Sequence, residues 1–273
     1  MLLRAGALVA VLANVVFNAV HVELGVGRDA AAITRMHDNL FVPASYAFGI
    51  WGVIYLSFVA YMVFTLTPGQ RDVLVHDRVA PPLIAANLLM SLWVAAFAYD
   101  MTTTSVFIMI AILGFGITAY SRAFDAARAG YPRLWLAPFS LFLGWLSVAT
   151  IANVALALVA TGATHGYSVG WAIVMLAVAV GLSMMMALRF QDALFSGAVA
   201  WGSLALAVSA YGVSLSFTIA AAFAAALLSV LSVRVWAMRR LGEAPGVARV
   251  SVIRVTTARF GTVSPTQSHP YGS

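Results

Sequence analysis

Cysteine and lysine are both absent from the 273 residues. Without Cys there is no disulfide, no thiolate metal site and no thiol nucleophile. Without Lys there is no membrane-embedded amine for a Schiff base, which excludes a retinal protein. Charge is scarce as well. Only 9% of residues are charged and 63% are apolar, against about 25% and 45–50% in a soluble domain. The mean hydropathy is +0.97. The apolar runs are continuous and about twenty residues long, the length of membrane-crossing helices and not the ten-residue alternation of barrel strands. The expected fold class is all-α, a polytopic membrane helix bundle. Basic loops on such a protein report topology, so the net charge of +6 implies no nucleic-acid partner.

Eight spans are predicted, over 3–22, 43–66, 81–99, 104–122, 134–160, 167–189, 193–211 and 213–238. The first follows Arg4 and has the look of a signal peptide, but Phe17 sits badly three residues before the small-residue cut at Ala19, so a retained helix is expected. The 15 basic residues test the count. With the N-terminus inside, thirteen fall on inner segments: Arg4, Arg71, Arg78, Arg122, Arg128, Arg133, Arg189 and the six from Arg234 onward. Only Arg28 and Arg35 lie outside. That asymmetry is what the positive-inside rule requires. It predicts a multi-pass protein of the cell's inner (plasma) membrane with both termini cytoplasmic.

Three parts follow: a membrane domain over 1–160, three further spans over 161–240, and a basic, disordered cytoplasmic tail over 241–273 that can meet anionic membrane lipid. The loop 23–42 is long for a helix–helix connection, which usually has about 2–8 residues. It is either a lid or a solvated link.

Catalytic groups are missing at membrane depth. No Asp, Glu or Arg sits near the middle of a span, and no HExxH, Ser-His-Asp or Walker pattern is present. No catalytic residue, metal ligand set or required cofactor is expected. The spans hold amides, one imidazole and tryptophans instead. Asn14, Asn18 and His21 share one face of the first helix. They serve either as interhelical hydrogen-bond partners or as the lining of a ligand cavity, with His21 a conceivable haem ligand. Trp135, Trp171 and Trp236 lie near helix ends and read as interfacial, whereas Trp51, Trp93, Trp145 and Trp201 lie deeper. At 1.5 Å rise per residue, Phe48, Trp51, Trp93 and Asn153 sit roughly 8–12 Å below the outer surface, with Asn18 at about 6 Å and His21 at the mouth. An apolar, aromatic pocket in the outer half is expected there.

The stretch FVPASYAFGIWGVIY over 41–55 carries Pro43, Phe48, Trp51, Gly52, Ile54 and Tyr55 in a Pro–aromatic–W-G-x-I-Y order. It resembles the second helix of the tryptophan-rich sensory protein / translocator protein (TspO/MBR) family. LLMSLWVAAF resembles the family's third helix, with Trp93 and Phe97 in W-x-x-x-F spacing, and GWLSVATIAN its fifth, with Trp145 and Asn153 in W-x7-N. Met90 and Ser91 stand where the family's third helix has Asn-Trp, and Pro138 stands seven residues before Trp145, where the family has four. The resemblance covers about 3–160, and a longer branch of the family resembles the chain in length. It implies a five-helix pocket closed by the first loop, for porphyrin, haem or a sterol-like molecule. On that basis Asn18, His21, Pro43, Phe48, Trp51, Tyr55, Trp93, Phe97, Trp145 and Asn153 are the candidate ligand-binding residues, with Arg28 and Arg35 of the loop available to pair with propionates. The function implied is a sensor or carrier of a small hydrophobic ligand, tetrapyrrole favoured. The alternative is a small-molecule transporter or permease subunit using all eight helices. Trp201–Tyr211 echoes Trp51–Tyr61 as W-G-x8-Y, and small residues in the last helix point to close packing or a homodimer.

Overall fold

A computed structural model of the chain describes residues 1–243, apart from the side chains at 31, 35, 242 and 243. Beyond 243 the predicted disordered tail lies outside the described residues. Within them the chain forms nine α-helices and no strand: α1 (Leu2–Val20), α2 (Ala30–Met36), α3 (Ile50–Thr65), α4 (Val75–Ala98), α5 (Thr102–Arg128), α6 (Ala137–Ala160), α7 (Val169–Arg189), α8 (Ala193–Ala210) and α9 (Leu215–Glu243). All but α2 are long and apolar enough to cross a membrane, α3 and α6 counted with the short 3-10 turns that precede them. Large apolar side chains such as Leu56, Phe107, Leu188 and Phe223 are exposed around the outside. That is the surface expected where the solvent is lipid. The protein is a multi-pass membrane helix bundle, and its eight spans match the eight expected.

The spans differ from expectation at their ends. The reading from sequence started the third span at residue 81, at a pair of prolines, residues that remove a backbone donor and usually break helices. In the structure α4 begins at Val75 and runs through Pro81 and Pro82. Pro82 leaves the Arg78 carbonyl without its intrahelical N–H, and the Arg122 guanidinium of α5 donates to that carbonyl instead. A freed acceptor that finds a neighbour's donor lets the helix continue.

One continuous core joins α1 and α3–α6 to the last three helices. It includes Phe58, Met90, Phe139 and Leu146 from the first group and Phe195, Val199, Ala205 and Leu228 from the second. Gly144 lets α6 approach α8 closely. A Cβ there would stand 2.7 Å from the Phe195 carbonyl oxygen and 3.0 Å from Ala198 Cβ. From α8, Trp201 Nε1 donates to the Ala47 carbonyl at 3.0 Å and Ser209 Oγ to the Val42 carbonyl at 2.6 Å. The backbone N–H of Ala44 donates to the Ala205 carbonyl at 3.1 Å. Thus the segment entering α3 is pinned by α8. The echoed Tyr61 and Tyr211 do not play equivalent parts, since Tyr61 is buried and Tyr211 is 79% exposed.

The N-terminus of α1 is fastened by Arg4, which is fully buried. Its guanidinium meets both carboxylate oxygens of Asp77 at 2.9 and 2.6 Å and donates to the carbonyls of Thr65, Gln70, Arg71 and Val73. A buried charge is tolerable only when paired and fully hydrogen-bonded, and here α1 closes over the α3–α4 connection to achieve it.

Candidate functional site

The site begins with a buried amide. Asn153, in the middle of α6, accepts from Trp93 Nε1 of α4 at 2.8 Å and donates through Nδ2 to Ser105 Oγ of α5 at 2.9 Å. The Ser105 hydroxyl donates to the Thr102 carbonyl at 2.7 Å. One side chain therefore sets the mutual orientation of three helices. Trp93 in turn lies parallel to Phe97, with ring centroids 5.0 Å apart and 23° between planes.

Opposite these rings, Val42 and Pro43 precede α3, and Phe48 meets Trp145 edge-on at 6.0 Å. The α6 wall is a helical stripe, Trp145, Val148, Ala149, Ala152, Asn153 and Leu156, repeating every three or four residues. Between α4, α6 and the segment before α3 this leaves an aromatic cleft. Trp145 is buried to 1% exposure, yet its indole N–H has no hydrogen-bond partner. An unmet buried donor costs about 1–3 kcal/mol, so most are satisfied.

The roof is α2, a helix inside what the sequence reading treated as loop 23–42. Polar composition hid its one buried apolar anchor: Ile33 is fully buried against Trp93, Phe97 and Leu156. Asp29 caps the helix by accepting from the Ala32 N–H at 2.8 Å. Ala30 and Thr34 face the cleft. The roof is tied down on both sides. The Arg28 N–H donates to the Ala98 carbonyl at 2.9 Å. Gly27 just before it has φ +65° and no room for a Cβ, which would stand 2.5 Å from that same oxygen. At the other end His37 Nε2 meets Asp100 Oδ1 at 2.7 Å, and the Leu40 N–H donates to the Gly166 carbonyl at 2.9 Å. Beneath the roof the cleft holds about 60 Å³, room for two waters at roughly 30 Å³ each.

Six of the ten residues expected at the site line this cleft: Pro43, Phe48, Trp93, Phe97, Trp145 and Asn153. The other four form an adjoining cluster. Trp51 stacks on Tyr55 at 5.5 Å and touches the ring of Trp145 edge-on at 6.5 Å, so it backs the wall instead of facing the space. Tyr55 OH accepts from Asn18 Nδ2 at 3.3 Å, and His21 Nδ1 lies 3.1 Å from the Asn18 carbonyl. On the same face Asn14 donates to Asn87 at 3.1 Å and accepts from Ser91 at 3.3 Å. The amide face of α1 therefore joins α1 to α3 and α4. Ser91, where the family pattern has Trp, is the residue that completes this joint. Arg28 is exposed with Nη1 near Met36 Sδ, away from the cleft.

The sequence reading missed Ile33, Ala30 and Thr34 on the roof and Val148, Ala149, Ala152 and Leu156 on α6. The α6 residues were within reach, because counting in helical steps from Trp145 and Asn153 picks out the stripe. Among the described residues no titratable side chain lines the cleft. Among the described residues no group of three His, Asp or Glu is placed to hold a metal ion. The arrangement can stack flat rings, and one lining residue, Trp145, carries a buried indole N–H that no group among the described residues accepts.

A family model described as TSPO-like protein matches residues 4–234, from α1 into α9. No curated protein and no solved structure matches the chain.

Proposed function

Since the chain belongs to the TSPO-like protein family, we propose that it binds a flat, largely apolar ligand beneath α2 and acts as a membrane sensor or carrier of it. A tetrapyrrole is the favoured ligand. What supports this is the lining: Trp93, Phe97, Phe48 and Trp145 offer stacking surface on two facing walls, and the Trp145 N–H is a buried donor awaiting an acceptor. A ring carbonyl or carboxylate would satisfy it. None of the lining residues is a customary axial ligand for iron, and His21 lies outside the cleft. Recognition would then run through the macrocycle face, and metal-free protoporphyrin IX is expected to bind as well as haemin.

At about 60 Å³ the cleft is far below the roughly 300–1,000 Å³ of small-molecule sites. The proposed binding therefore includes withdrawal of α2. Exposing one buried Ile costs about 1.5–3 kcal/mol. An opening free energy of 2 kcal/mol lowers apparent affinity by about thirtyfold, a modest barrier to a ligand with this much stacking area. We place the roofed end on the outer side of the plasma membrane, with the arginine-rich end cytoplasmic.

Titrating purified protein with protoporphyrin IX and haemin, followed by absorbance, tests the reading. Saturable binding that weakens severalfold or more in Trp93→Ala supports it. Absence of saturation, or binding indifferent to Trp93→Ala, overturns it and returns the eight-helix permease as the working alternative.

A further inference from the structure

The opposite end of the bundle carries a larger cleft that the proposed function does not use. It lies between the α5–α6 turn, the α7–α8 turn and the last turns of α9, and holds about 700 Å³. Three guanidiniums line it: Arg133, Arg239 and Arg240. Arg133 packs over the Phe124 ring at 5.9 Å, and its Nη1 is buried with no hydrogen-bond partner. Arg240 lies over the Trp236 ring at 5.3 Å. Arg239 donates to the Phe190 carbonyl at 3.0 Å. Among the described residues the lining holds one carboxylate, Asp192, and it is already engaged. It accepts from Tyr120 OH at 2.8 Å, Ser140 Oγ at 2.6 Å and the Phe195 N–H at 3.0 Å. Among the described residues the cleft is therefore cationic, and Arg133 Nη1 is a buried donor left unmet there.

A second cavity adjoins it. Between α5, α6 and α7 a mostly apolar groove of about 380 Å³ is lined chiefly by Leu113, Ile117, Leu143, Leu182 and Met185, with Asp125 and Arg128 also on its lining. The two share a wall. Phe124 lines the groove and lies under Arg133, and Tyr120 lines the groove while its hydroxyl holds Asp192 of the cleft. An apolar trough within the membrane-spanning segments that ends in a cationic cleft matches an amphiphile with an anionic head. Guanidinium forks suit phosphate oxygens, and each charge-assisted bond is stronger than a neutral one.

We infer that this end of the protein holds an anionic phospholipid, its phosphate against Arg133 and Arg240 and an acyl chain in the α5–α6–α7 groove. The chemistry recognised at the cleft is a phosphate-bearing anion, and the adjoining groove selects the lipid form of it over free phosphate.

Native mass spectrometry of the full chain in detergent, exposed to phosphatidylglycerol or phosphatidylcholine, tests this. Phosphatidylglycerol should be retained in one-to-one stoichiometry at concentrations where phosphatidylcholine is not. Arg133→Gln and Arg240→Gln should each lower its retention about tenfold. Arg240 is exposed and its replacement spares the fold, so that variant decides the matter if Arg133→Gln proves unstable. Leu182→Trp, which fills the groove, should lower retention with both arginines intact. Equal retention of the two lipids, or retention unchanged in Arg240→Gln and Leu182→Trp, overturns the inference. Displacement of the lipid by millimolar inorganic phosphate with matching affinity also overturns it, because the cleft is then a soluble-anion site.

Discussion

The Trp93 indole donates to the Asn153 side-chain oxygen at 2.8 Å, so two residues of separate sequence motifs, sixty positions apart, form one structural joint. That joint holds the α4 wall of the cleft against α6. Asn153→Ala removes it together with the bond to Ser105. Hydrogen bonds between membrane helices average about 0.6 kcal/mol, because the unfolded reference also finds partners. A loss of about 1–2 kcal/mol is expected for Asn153→Ala and about half of that for Trp93→Phe. Unfolding of the purified variants by titration with SDS measures both.

In the proposed function the roof controls access. His37→Ala removes the contact with Asp100, and Ile33→Ala shrinks the buried anchor. Both raise the open fraction, so protoporphyrin IX should associate severalfold faster in stopped-flow fluorescence and its apparent affinity should rise to match. Rates equal to wild type in both variants would mean that α2 is not the gate.

Arg4 lies far along the chain from the cleft and fastens the other end of the bundle. Breaking a buried pair by removing one partner costs about 3–5 kcal/mol. Arg4→Ala should show that loss as a marked drop in thermal midpoint, and Asp77→Asn a smaller one, since Asp77 is partly exposed and Asn retains an acceptor. Ligand affinity of the fraction that remains folded should not change.

The last three helices bear on the cleft through α8. Trp201→Phe deletes the bond to the Ala47 carbonyl and keeps most of the ring contact with Tyr46. It should loosen the segment that supplies Pro43 and Phe48. A twofold to fivefold weakening of ligand binding, with a stability loss of about 0.6–1 kcal/mol, is the expected outcome in the same titrations.

Much of this was legible in the residues, and the gaps have physical causes. The continuous apolar runs located all eight spans, and the arginine placement agreed with that count. Depth counting placed Phe48, Trp93 and Asn153 at one level, but depth carries no azimuth. That is why Trp51 and Tyr55 were grouped with the cleft when they back its wall. The helix α2 escaped notice because a seven-residue element with a single anchor, Ile33, has no periodicity to read. The start of α4 was misplaced because the rescue of the Arg78 carbonyl comes from Arg122, forty-four residues away. The inner arginines were read as topology, and nothing local to Arg133 says that one of its nitrogens is buried without a partner.

The central claim is that the cleft under α2 takes a flat ligand and that the Trp145 N–H meets it. Trp145→Phe tests this most directly, since it keeps an aromatic ring in the wall and removes a donor that has no partner within the protein. Fluorescence titration with protoporphyrin IX should show saturable binding to the wild type and about threefold to tenfold weaker binding to the variant, the worth of one hydrogen bond. The thermal midpoint should not fall. Indistinguishable binding curves for the two proteins, or no saturable binding by the wild type, would contradict the account.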